Sequence, residues 1–137
     1  MIDFISPDDL RQLADTTDRY CVSIFLPTHP TGNETMQDPI RLKNLLAQAR
    51  GELEALGLTK REIDDLVAPA DAAHDDLEFW ATMANGLALL IDADGMRTYR
   101  LPTMVDELSV VAERFHIKPL LASVTTDEVF YVLALSQ

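Results

Sequence analysis

The sequence predicts an α+β fold, a two-layer domain in which helices cover a mixed β-sheet. Three observations carry this. Runs that read as strands stand at 20–26, rich in β-branched and aromatic residues, and at 87–91, 96–101, 108–112 and 129–135, short apolar or alternating segments. The stretch between the first and second of these runs has helical periodicity instead. The resulting order is helix, strand, several helices and then strands, which points to helices laid over a sheet.

Ser6-Pro7-Asp8-Asp9 opens the first helix. Ser6 can cap, Pro7 suits the first helical position, and both aspartates favour the positive helix end. This helix is short and ends near 15–18. The strand at 20–26 is apolar on both faces and stops at Pro27. Residues 28–35 form a loop on turn chemistry alone. Asp38-Pro39 repeats the cap-plus-proline device and starts the longest helix, 39–56. At about 100° per residue, Leu42, Leu45, Leu46, Ala49, Leu53 and Leu56 share about one third of its circumference. Arg41, Asn44 and Gln48 flank that stripe on one side, Lys43 and Arg50 on the other. Gly57 ends the helix in the left-handed position.

Thr59 and Glu62 have the spacing of a capping box. Ile63, Leu66, Val67 and Ala70 give the next helix its apolar face, and Pro69, lacking a backbone donor, is expected to break or kink it. A short helix should run from Asp75 through Phe79 and Trp80. After Asn85-Gly86 the period changes, and 87–91 with 96–101 reads as a β-hairpin closed by Pro102. The strand at 129–135 is fully apolar and runs almost to Gln137. A strand of that kind needs neighbours on both sides, so the chain, 1–137, is expected to be a single domain cut from a longer protein just where a following domain begins.

Size and charge narrow the function. A chain of 137 residues is one domain with enough surface to bury a core. With 47% apolar and 25% charged residues it is not a disordered segment. The formal charge of −12 repels polyanions and anionic membrane surfaces, so neither duplex DNA nor a membrane is an expected partner. Cys21, the single cysteine, can form no internal disulfide and sits in an apolar run, where a buried inert thiol is expected. Residues 1–4 lack the basic and apolar regions of a signal peptide, which makes the expected location cytoplasmic.

No catalytic constellation emerges. The sequence has neither a Gly-x-Ser-x-Gly elbow, a phosphate-binding glycine loop nor a dinucleotide fingerprint, so no cofactor is expected. His29, His74 and His116 are the only histidines, and their spacing supports no closed metal site. Asp75, Asp76 and Glu78 read as a capped helix start. What remains is one polar neighbourhood, where the loop 27–32 leads into the helix that begins at Asp38. A strand–loop–helix arrangement would bring His29, Arg41 and Asn44 together beside exposed amides, a corner able to hold a small anion. The competing reading is structural: Asp38 caps the helix and Arg41 is solvated.

The same residues carry a resemblance. The runs VSIFLPTHPTG at 22–32 and QDPIRLKNLL at 37–46, the pair Phe79-Trp80, and RTYRLP at 97–102, RFHIKPLL at 114–121 and FYVLALSQ at 130–137 resemble a bacterial family. Its members are homologues of the archaeal and eukaryotic peptide-chain release factors, and the chain resembles the N-terminal domain of the third such family. The resemblance implies a translation or ribosome-rescue setting, with ribosome, tRNA or a protein as partner. The family's hydrolytic tripeptide Gly-Gly-Gln and the stop-codon tetrapeptide Asn-Ile-Lys-Ser are both absent from these residues. Three functions are thus expected in descending order: a non-catalytic N-terminal module acting by contact, a domain binding a small anionic ligand at His29, Arg41 and Asn44, and an enzyme with His29 as acid/base.

Overall fold

A computed structural model describes residues 3–123. Its sheet has the order β1 (Asp3–Phe4), β4 (Gly95–Leu101), β3 (Gly86–Asp92), β2 (Thr17–Pro27), β5 (Leu108–Arg114). The pairs β4–β3, β3–β2 and β2–β5 are antiparallel, and β1–β4 is parallel, so the sheet is mixed. The fold is α+β, a mixed sheet covered by helices. The expected strand at 129–135 lies outside the described residues.

The sheet's main cover is the helix pair α2 (Asp38–Ala55) and α3 (Lys60–His74). Leu42, Leu45, Leu46, Ala49 and Leu53 of α2, with Ile63, Val67 and Ala70 of α3, pack on Val22, Ile24, Leu26, Leu87, Leu89 and Ile91. Alternate residues of the same strands point the other way, as the pleat requires. There Cys21, Phe25, Ala88 and Leu90 meet Leu10 and Leu13 of α1 (Pro7–Asp15), with Phe115 and Leu120 completing the smaller core. The sheet centre is therefore buried on both faces, which explains the unbroken apolar runs of β2 and β3.

The local signals read from the sequence explain most boundaries. Ser6 and Asp9 form a capping box at α1, with Pro7 at its start, and Thr59 with Glu62 forms another at α3. Gly57 takes φ +100°, a value most residues avoid, directly after α2. Gly86 is required for a different reason: a Cβ there would meet the Thr103 carbonyl oxygen at 2.8 Å. The short α4 (Leu77–Ala81) is capped by Asp76, whose side chain accepts the Glu78 N–H at 2.9 Å.

Three expectations need correction. Of the break or kink expected at Pro69 the break does not occur: α3 runs through Pro69 to His74, because one missing donor is tolerated where the apolar face on either side is held in the core. Leu56 is exposed, not part of the buried stripe: it keeps the helical direction but stands at the C-cap, one residue past the end of α2. Asp38 is not a helix cap. It is the first residue of α2, and the cap position, Gln37, makes no side-chain capping bond.

Two interactions fix the helix pair and the hairpin. Arg50 of α2 donates to Asp64 and to Asp71 of α3, each at 2.6 Å; the two carboxylates, Asp64 first, outweigh desolvation and hold the guanidinium's pKa above its ordinary value. At the β3–β4 turn, Asp92 accepts the Asp94 N–H and Asp18 of β2 accepts the Ala93 N–H.

Candidate functional site

The polar corner is built from the end of β2. Thr28 is buried, its hydroxyl donates to the Ala84 carbonyl at 2.8 Å, and its N–H donates to the Asn85 carbonyl. That anchor sets the direction in which the next residue leaves the sheet. Asn85 is itself held, donating from Nδ2 to the Pro102 carbonyl at 2.7 Å. His29 follows, and a single 3-10 turn (Asn33–Gln37) returns the chain to α2.

Asp38 is the centre of the corner. Its carboxylate is 1% exposed, and such a group is stable only when its oxygens are satisfied. Oδ2 accepts the His29 N–H at 2.9 Å. Oδ1 lies 2.9 Å from His29 Nδ1 and accepts from Arg41 Nη1 at 3.1 Å. The spacing of Asp38 and Arg41 puts them on one turn of α2, while His29 arrives from the strand side. The structure thus brings His29 and Arg41 onto one carboxylate oxygen. Asn44 is exposed one turn further along α2.

Chemically, this is a charge-assisted clamp that ties the loop to the helix start. An anion arriving at Arg41 meets the Asp38 charge and can engage only the remaining guanidinium donors and the Asn44 amide. Asp38 was legible as a participant, since it stands three residues before Arg41, but an aspartate directly before a proline at a helix start reads first as a cap.

The other singled-out residues have structural partners. His74 Nδ1 lies 2.9 Å from Asp75 Oδ1, and its carbonyl accepts the Trp80 indole N–H at 2.9 Å. His116 donates its N–H to the buried Ser23 hydroxyl and sets its ring edge against Phe25, centroids 6.2 Å apart. Cys21 is fully buried, and desolvation, then the Asp18 and Asp92 charges, push its thiol up to about 11.

Compared with protein-family models and with curated protein sequences, the chain matches none. Function therefore rests on the geometry and the quoted motifs. One feature of that geometry was not read from the sequence. Met36 and Ile40, 75% and 51% exposed, stand one helical turn apart at the outer side of the corner, and Lys43, Asn44 and Ala47 continue the same exposed surface of α2. The signal was available: Ile40 falls opposite the leucine stripe at about 100° per residue. Among the described residues, no helix is long and apolar enough to cross a membrane.

Proposed function

We propose that this chain is a non-catalytic contact module, the N-terminal domain of a release-factor-like protein working in translation or ribosome rescue. The observation that carries the reading is the exposed Met36–Ile40 pair on the strand–loop–helix corner whose sequence has the resemblance. A large apolar side chain held at the surface beside polar neighbours is the composition of a docking patch. The Asp38 clamp fixes that patch in place without using its outward residues. A charge of −12 favours docking on a protein surface over docking on bare RNA.

Sedimentation with purified bacterial ribosomes tests the reading. The chain pellets with ribosomes at low salt, and Ile40→Asp abolishes this without altering the melting temperature, since an exposed substitution costs less than about 0.5 kcal/mol. Equal pelleting of the variant, or none by either protein, would contradict it.

A further inference from the structure

On the side of the fold away from the His29 corner, α3 and the β3–β4 turn enclose an open cleft of about 470 Å³, within the range of ligand-binding clefts. Its apolar lining comes from Tyr20, Leu58, Leu66 and Pro69. Glu62 and Asp65 stand along one wall and Asp94 on the turn opposite, all three exposed. Neither Asp65 nor Asp94 has a salt-bridge or hydrogen-bond partner for its carboxylate among the described residues. Glu62 uses one oxygen to accept the Thr59 N–H. The hydrogen bonds with Thr59, and to a lesser degree the Arg19 charge, hold the Glu62 carboxyl below its ordinary range.

A second observation lies in the backbone. In an unbroken helix the N–H of residue 69 closes on the carbonyl of residue 65, but Pro69 has no N–H. The Asp65 carbonyl therefore lacks its helical donor, and both residues line the cleft. The cleft thus combines an apolar floor, three exposed carboxylates beside the buried Asp92, and the Asp65 carbonyl, which lacks its i+4 helical donor.

We propose that this cleft docks a basic, partly apolar segment of a partner protein in extended form. A large apolar side chain fills the floor, flanking lysine or arginine side chains meet Glu62, Asp65 and Asp94, and a peptide or side-chain N–H donates to the Asp65 carbonyl. Charge complementarity selects this occupant: an acidic or neutral peptide gains nothing from the rim, and a purely cationic one leaves the floor empty. The proposal is independent of the resemblance and of the Met36–Ile40 patch.

Titration of the 15N-labelled chain with blocked pentapeptides at physiological salt tests it. KLKYK should shift the amides of residues 58–68 and 93–95, with ELEYE and KSKSK at least tenfold weaker. The triple variant Glu62→Gln, Asp65→Asn, Asp94→Asn should bind KLKYK about tenfold more weakly, a change of about 1.4 kcal/mol shared among three exposed charge pairs. Glutamine at residue 62 keeps the capping box, so the variant stays folded. Leu66→Lys, which places a cation over the half-buried floor, should abolish binding while the spectrum stays dispersed. KSKSK binding as tightly as KLKYK, an unchanged affinity in the triple variant, or shifts elsewhere on the chain would each overturn the proposal.

Discussion

Asp38 and His29 are joined twice, the carboxylate lying 2.9 Å from both the backbone nitrogen and ring Nδ1 of the histidine. With Arg41 on the same carboxylate, the link locks the loop after β2 to the first turn of α2. Removing it takes the acceptor from the part-buried His29 N–H and from the Arg41 guanidinium. Asp38→Ala should therefore cost about 1–3 kcal/mol in urea unfolding. A loss below about 0.5 kcal/mol would show the clamp to be idle.

The leucine stripe gives a graded comparison. Leu45 and Leu46 are 2% and 4% exposed, whereas Leu56 is 57% exposed. Leu45→Ala or Leu46→Ala should each cost about 2–5 kcal/mol, as for other buried leucines. Leu56→Ala should change stability by less than about 0.5 kcal/mol. Denaturant midpoints that rank the three alike would contradict this placement.

What the sequence made legible was the part of the fold set by local chemistry. The cap at Ser6, the capping box at Thr59, Gly57 after α2, and the α2 stripe from Leu42 to Leu53 all depend on residues within one or two turns. Beyond the β3–β4 hairpin, which was expected, strand pairing was not legible. That β5 lies beside β2, with Cys21 opposite Ala112, follows from which apolar faces meet in space. The two-residue β1 was missed because its pairing with Tyr99 and Arg100 comes from across the sheet. At the candidate site the residue types were visible but their centre was not, since Asp38 obeys the local pattern of a cap while its bonds are made to His29 and Arg41.

Cys21 predicts an alkaline weakness. Burial raises its pKa to about 11 in the folded chain, against an ordinary value near 8.5 when unfolded. The folded state thus holds the thiol proton more tightly, and this contribution is complete below the unfolded value. It declines as pH rises from about 8.5 through 11. Tyr99, also raised by burial, adds to the same slope. Melting temperature should fall over this range, with a shallower fall in Cys21→Ala. A thiol reagent at pH 8 should modify the native chain far more slowly than the urea-unfolded one. Equal rates would refute the buried thiol.

The charge distribution makes a negative prediction. Of the basic residues on α2, Arg41 is engaged by Asp38 and Arg50 by Asp64 and Asp71, and only Lys43 remains at the exposed surface. With a net charge of −12, the chain should show no gel shift of duplex DNA or RNA at physiological salt. Submicromolar, salt-sensitive binding would reverse this.

The central claim is that the chain docks on protein through the exposed end of α2. Its most direct test is a benzoylphenylalanine photo-cross-linker placed at Ile40 of the otherwise unaltered chain, irradiated with purified bacterial ribosomes, with the same group at exposed Glu107 as the control site. The predicted result is a cross-link from residue 40 to one ribosome-associated protein, absent from residue 107. Cross-linking only to ribosomal RNA, or equal yields from the two positions, would contradict it.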